Sequence, residues 1–281
     1  MTDVLIDRAF ARISEGLIHY RECPAIDAGA TPLVLIHASP TSSRTLESLM
    51  RQLRNHGARQ RLIAPDTLGN GDSAAPALET PEIAYFAESV LRTLDALKIA
   101  KADFYGTHTG ARIAAEIAVI APARVGRVVL DGITDYDDAF KADILANFAP
   151  DIRADEYGRH LVWAFNFVRD QAFHFPYFKR DADHRVSKPL PSPSDLHEKV
   201  LEVLKALATY HKSYLAAFRY TPRVRLPLIS APTLFLAADT ETAMLQAAAT
   251  EMAKLVPSST VAATKGGDSG KAQAICAYLA A

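Results

Sequence analysis

The sequence predicts an α/β fold built on a mostly parallel sheet, and three observations carry that prediction. Short apolar runs recur along the chain, each followed by a stretch with apolar residues at helical spacing, the rhythm of βαβ units. Segment 104–112, F-Y-G-T-H-T-G-A-R, reads as strand, sharp turn and helix, with Gly106 and Gly110 flanking His108. Between residues 135 and 225 the composition shifts toward aromatics, arginine, histidine and proline, which marks a mostly helical insertion.

Taken in order, residues 8–22 alternate polar and apolar side chains and predict two antiparallel strands joined near 14–16. After Pro32, L-V-L-I is the continuous apolar run of a strand buried on both faces; it closes on His37, Ala38, Ser39 and Pro40. A Thr/Ser cluster and the helical pattern T-L-E-S-L-M-R-Q-L follow, then R-L-I-A-P-D-T-L-G-N-G-D-S, a strand with a Gly/Asp/Asn loop. A helix is expected at about 83–97, then the strand that enters Gly106. The helix A-R-I-A-A-E-I-A-V-I leads to an apolar strand at 125–130 that closes on Asp131 and Gly132. After the insertion come a strand at 233–236 closing on Ala237, Ala238 and Asp239, a helix at about 243–255, the weak strand T-V-A-A-T, the loop G-G-D-S-G and a terminal helix. This divides the chain into a core, 1–134 with 226–281, and an inserted unit, 135–225.

Bulk properties narrow the function classes. A chain of 281 residues, 49% hydrophobic and 22% charged, suits one large core with an inserted subdomain. A net charge of -1 gives no electrostatic case for nucleic acid or an anionic membrane. Cys23 and Cys276 lack metal-ligand spacing and suit a reduced compartment. The opening M-T-D-V-L-I-D-R lacks the basic and apolar regions of a signal peptide, and no uncharged apolar run approaches the ~18 residues of a membrane span. The expectation is a cytoplasmic protein with a small-molecule substrate, no cofactor, and an oligomeric state that no pattern encodes.

Three segments together resemble the α/β-hydrolase superfamily: H-A-S-P-T-S-S after the third strand, A-P-D-T-L-G-N-G-D-S after the fourth, and G-T-H-T-G-A-R. The last is similar to the nucleophile elbow, G-x-Nuc-x-G, and its G-A-R ending to the elbow of fluoroacetate dehalogenases and epoxide hydrolases. The resemblance implies the α/β-hydrolase fold, a mostly parallel eight-stranded sheet flanked by helices, with a helical cap inserted after the sixth strand. It also places His108 where the family has Ser, Cys or Asp, and Asp268 where the family has its catalytic histidine. The family's acid follows the sixth or seventh strand, which offers Asp131 or Asp239. An expected Ser–Asp–His set therefore reads His–Asp–Asp, and a serine acyl-enzyme is not supported. Thr107 and Thr109 carry hydroxyls beside His108, but only the central residue of an elbow projects into the site.

The anion-stabilising half of the site does not depend on side-chain identity. By resemblance, the oxyanion hole is formed by the backbone amides of Ala38 and Thr109. The first reading is therefore a His108–Asp268 pair beside an anion hole, suited to cofactor-free hydrolysis or C–C or C–X cleavage of a small carbonyl or carboxylate compound. Arg112 is similar to the second arginine of the dehalogenase elbow, which grips a substrate carboxylate; the first arginine is Thr109 here. A second reading is a catalytically silent homologue that binds a small molecule. A third is a metal-dependent hydrolase using His37, His108 and Asp268 or Asp239, although His37 is common at its position in the family without a metal.

In the cap, Trp163, His174, Tyr177 and Tyr214 are candidates to line the substrate pocket, with the alternative that Trp163 and Phe165 are the cap's own core. His160 and His211 fall in the same region, and Arg169, Lys179 and Arg180 read as an exposed face. His19, on an alternating strand, reads as a surface residue; His56, His184 and His197 read as solvated. Asp66 and Asp72 read as turn-stabilising.

Overall fold

The computed structural model describes residues 4–186 and 190–281. Residues 1–3 of the leader reading, and 187–189, where the run P-L-P-S-P-S-D begins, lie outside the described residues. Strands β1 (Asp7–Ile13) and β2 (Gly16–Cys23) form the expected antiparallel hairpin, with Ile13 opposite Gly16. β3 (Leu33–Ile36), a run buried on both faces, leads to α1 (Glu47–Asn55), β4 (Leu62–Pro65) and α2 (Ile83–Ala96). β5 (Ala102–Thr107), α3 (Thr109–Ile120) and β6 (Val125–Asp131) follow. Next come five helices: α4 (Asp138–Asn147), α5 (Arg159–Asp170), α6 (Pro193–Lys205), α7 (Tyr210–Arg219) and the short α8 (Pro222–Arg225). β7 (Thr233–Ala238), α9 (Ala243–Ala253), β8 (Ser259–Thr264) and α10 (Asp268–Ala280) complete the chain.

The eight strands form one sheet in the order β1-β2-β4-β3-β5-β6-β7-β8. β2 meets both β1 and β4 antiparallel, and from β4 onward every pairing is parallel. Alternate residues of the central strands feed two cores, one under α2, α3 and α9 through Phe104, Val128 and Phe235, the other under α1 and α10 through Tyr105, Val129 and Leu236. The helices between β6 and β7 enclose an aromatic cluster of their own, with Phe148, Phe167 and Tyr210 at its centre. No described helix is long and apolar enough to cross a membrane.

Backbone crowding fixes the turn between β5 and α3. A Cβ on Gly106 would lie 2.1 Å from the carbonyl oxygen of Gly110, and a Cβ on Gly110 would lie 2.1 Å from that of Ile36. Helix and strands therefore touch through bare backbone, and the chain between them must turn sharply.

His19 departs from the surface position its alternation suggests. It is fully buried, because β2 lies between β1 and β4 and both of its faces are covered. Its Nδ1 lies 2.8 Å from Asp66 Oδ2, and Arg8 Nε donates to its Nε2 at 3.0 Å. Asp66 plays the turn-stabilising part expected of it, accepting from the amides of Ser43 (2.7 Å) and Asp72 (2.9 Å). Burial works against its charge, but the bonds from His19, Ser43 and Asp72 prevail and hold the carboxyl well below the ordinary range.

Two outcomes follow. Gly110→Ala forces a methyl into the Ile36 carbonyl and is expected to lower unfolding stability by about 3 kcal/mol, measured by urea denaturation. A carboxyl whose folded pKa is depressed stabilises the fold above its unfolded pKa, and that contribution is lost as pH falls through the folded value. Asp66→Asn should therefore destabilise by about 2 kcal/mol near neutral pH, read by the same denaturation. The deficit should shrink as pH is lowered past the unfolded value of about 3.9.

Candidate active site

The C-terminal ends of β3, β5, β6 and β7 bring their following residues to one edge of the sheet, where an α/β fold places its ligands. A cavity of about 480 Å³ opens there. His108 stands in its wall at φ 50° and ψ -107°, between β5 and α3. A positive φ is strained for a residue with a Cβ. Two contacts hold it: the His108 amide donates to the carbonyl of Asp131 at 2.8 Å, and Gly132, at φ 71°, leaves room for the ring. A Cβ on Gly132 would lie 2.9 Å from imidazole atoms. The His108 side chain remains 41% exposed, so it is open to a ligand.

Its partner is Glu241. His108 Nε2 lies 3.1 Å from Glu241 Oε1, and the Glu241 side chain is only 11% exposed. Glu241 sits in the turn after β7, its amide donating to the carbonyl of Ala238, the last residue of that strand, at 3.0 Å. A carboxylate can only accept, so this bond places a ring proton on Nε2, and in the neutral ring the lone pair is then on Nδ1.

The three aspartates that the sequence offered serve otherwise. Asp239, the nearer acid of the same turn, accepts from the amides of Gly266 (2.8 Å) and Gly267 (3.4 Å), bonds that hold it below the usual carboxylate range. Asp131 is wholly buried, and its Oδ2 accepts from Tyr105 Oη at 2.8 Å and Lys271 Nζ at 2.7 Å. Burial opposes the Lys271 charge, but the neighbouring Asp131 carboxylate outweighs it and raises the ammonium above the ordinary lysine range. Asp268 is the first residue of α10 and stands outside the cavity wall; the hydrogen bond expected between it and His108 is made by Glu241 instead. Glu241 is the site residue the sequence reading missed. The signal was present as a second acid, two residues beyond Asp239, at the end of the same strand.

The two residues expected to supply the oxyanion hole both border the cavity. Ala38 and Thr109 both line it beside His108, and Thr109 is the first residue of α3, where an amide has no acceptor within the helix. His37 supports this corner from behind. Its Nε2 accepts from the Thr67 amide at 2.9 Å, so its Nδ1 donates to the Ala38 carbonyl at 2.8 Å. Burial pushes its pKa down and keeps the ring neutral. With both nitrogens engaged, His37 has no lone pair to share with a metal beside His108 and Asp268. Among the described residues, the side chains close enough to converge on an ion are His19, Asp66 and Asp72. There Arg8 donates to His19 and Asp72, and Lys205 to Asp72, so cations already occupy the acceptors.

Arg112 lines the cavity and is nearly fully buried. Its Nη1 donates to the carbonyl of His108 (3.2 Å) and its Nη2 to that of Thr134 (2.9 Å), while its buried Nε meets no acceptor among the described residues. Burial lowers its pKa, as expected of a guanidinium bonded to neutral carbonyls.

Of the four cap candidates, the structure brings Tyr214 to the cavity, its hydroxyl 3.5 Å from Gln171 Oε1. Trp163 stacks on Phe167 with ring centroids 4.8 Å apart and belongs to the aromatic cluster. Tyr177 packs edge-on against Phe148 and Phe167, and burial pushes its hydroxyl up to about 12. His174 lies in an isolated bridge with Arg185, away from the wall. Phe165, weighed as cap core, is 43% exposed. Beside Tyr214, the aromatic lining of the cavity comes from Tyr136, Phe148, Phe167, Phe175 and Phe218, whose spacing in sequence carries no mark of a shared surface.

Comparison with known proteins identifies the fold. A family model described as the alpha/beta hydrolase fold matches residues 31–270. Over 107 residues the chain is 36% identical to 2-hydroxymuconate semialdehyde hydrolase of Pseudomonas sp. strain CF600, a match covering 38% of each protein. Over 123 residues it is 35% identical to the dihydrolipoyllysine-residue acetyltransferase component of an acetoin cleaving system of Pseudomonas putida, covering 43% of this chain and 31% of that one. The chain thus spans only about a third of the length of these curated relatives. Among solved structures, a hydrolase from Pseudomonas aeruginosa superposes with a TM-score of 0.71 at 20% identity, covering 98% of this chain and 99% of that one. An enol-lactonase from Burkholderia xenovorans superposes with a TM-score of 0.66 at 19% identity, covering 97% of each chain. With a family match across most of its length and an eight-stranded sheet in this order, the chain belongs to the α/β hydrolase fold family.

Proposed function

We propose that this protein is a cofactor-free acid–base enzyme of the hydrolase superfamily, acting on a small carbonyl or carboxylate compound by hydrolysis or by C–C or C–X cleavage. The observation that carries the reading is the 3.1 Å bond between His108 Nε2 and Glu241 Oε1 at an open cavity. Glu241 orients the imidazole, and Nδ1 of His108 takes a proton from water or from a carbon beside the substrate carbonyl. Negative charge that develops on the carbonyl oxygen is held by the amides of Ala38 and Thr109. His37 keeps the Ala38 peptide in place, a positioning role.

Arg112 supports a carboxylate on the substrate, since its buried Nε meets no acceptor among the described residues and its other bonds go to neutral carbonyls. The aromatic lining supports an apolar body on the same substrate. The segment 135–225 then acts as the roof that selects the substrate. A silent binding homologue is the alternative, and the open cavity argues against it, because a site released from chemistry has no reason to keep an exposed imidazole under backbone strain.

The test is a screen of small keto acids, enol esters and β-dicarbonyl acids. With a substrate found, His108→Ala should lower kcat by ~10²- to 10⁴-fold, and Glu241→Ala by ~10²-fold. Turnover that survives His108→Ala unchanged rejects the reading. Arg112→Met should raise KM about tenfold or more for a carboxylate substrate relative to its neutral amide, a ratio that does not depend on how much enzyme folds.

A further inference from the structure

Lys271 is a charged side chain placed where charge is unfavourable. It lies within the first turn of α10 with its side chain 9% exposed, and its ammonium meets an Asp131 carboxylate that is 0% exposed. Taking such a pair out of water is costly for each ion before their attraction offsets it, and an apolar residue of similar length fills the same space without that penalty. Neither member of the pair lines the cavity, so its value must lie in what it connects.

The connections form a closed circuit around the acid–base pair. Lys271 Nζ donates to Asp131 Oδ2 at 2.7 Å, and the Asp131 carbonyl accepts the His108 amide at 2.8 Å. In the other direction the Lys271 amide donates to the carbonyl of Gly267 at 3.1 Å. The amides of Gly266 and Gly267 hold Asp239, two residues before Glu241, and Glu241 closes the circuit on His108. The carboxylate of Asp131 is gripped on one side only, because its buried Oδ1 has no partner among the described residues. Lys271 and Tyr105, both on Oδ2, therefore decide how Asp131 sits.

From this circuit we infer that Lys271 is a positioning residue. Through its ion pair with Asp131 it locks the His108 backbone against the loop that carries Glu241, and so holds the two side chains in hydrogen-bonding register. The inference rests on the reading of His108 and Glu241 as an acid–base pair. Its consequence is that the imidazole of His108 is held in one tautomer, with the proton on Nε2, for as long as the circuit is closed.

The experiment is ¹⁵N spectroscopy of the histidine ring in mildly alkaline buffer, with the His108 signals assigned by their absence from His108→Gln. The full chain is compared with Glu241→Ala, Lys271→Met and the double variant Lys271→Met/Asp131→Asn, which removes the stranded carboxylate and so preserves folding. The wild type should show the Nε2–H tautomer alone. Glu241→Ala should lose that single pattern for a mixture, and the double variant should do the same while its urea unfolding stays cooperative. A double variant that keeps the single tautomer, beside a Glu241→Ala that loses it, overturns the assignment of Lys271 alone. A Glu241→Ala that keeps the single tautomer overturns the acid–base reading and the assignment together.

Discussion

Bare backbone contact at Gly106, Gly110 and Ile36 is the constraint on which the site depends. With no side chains between β5, α3 and β3, the polypeptide has one way to pass from strand to helix, and it drives residue 108 to positive φ. Strain of this kind is of order 1–3 kcal/mol and persists only where the surroundings over-determine it. Here the Asp131 carbonyl holds the His108 amide and Gly132 clears space for the ring. The turn would present any residue in this position to the cavity. The identity of that residue, an imidazole, sets the chemistry.

Four acids gather where β6, β7 and β8 end, and their different tasks follow from the donors that reach each one. Asp131 is buried against Lys271 and Tyr105 and becomes structural. Asp239 faces the amides of Gly266 and Gly267 and shapes the loop before α10. Asp268 opens α10, at the positive end of a helix dipole. Glu241 alone among them meets His108. Burial, loop amides and a helix terminus thus sort chemically similar carboxyl groups into separate roles, which is how environment rather than residue type assigns function in such sites.

The cavity lining is mixed in character. It combines His108, Glu241, Arg112, Ala38 and Thr109 with the aromatic rings of Tyr136, Phe148, Phe175 and Phe218. A buried guanidinium bonded to two carbonyls, whose Nε meets no acceptor among the described residues, is the observation behind the proposed substrate carboxylate. Polar groups and aromatic rings in one lining are the features on which the proposed substrate class rests.

The sequence by itself determined the α/β class, the mostly parallel sheet, the glycine-flanked turn that carries His108, and the turn role of Asp66. Each is written in local pattern: apolar runs, glycine spacing, and short loop motifs whose meaning does not depend on distant residues. The tertiary structure decided which acid reaches His108, because Asp239 and Glu241 share a strand end and only the direction of the turn after β7 separates them. It also decided that His19 is buried, since β2 lies inside the sheet rather than at its edge, and that Tyr214 rather than Trp163, His174 or Tyr177 reaches the cavity. Those outcomes depend on how the helices between β6 and β7 pack over the sheet. Aromatic residues carry the same hydrophobic signal whether they face a core or a ligand, so only the packing tells the two apart.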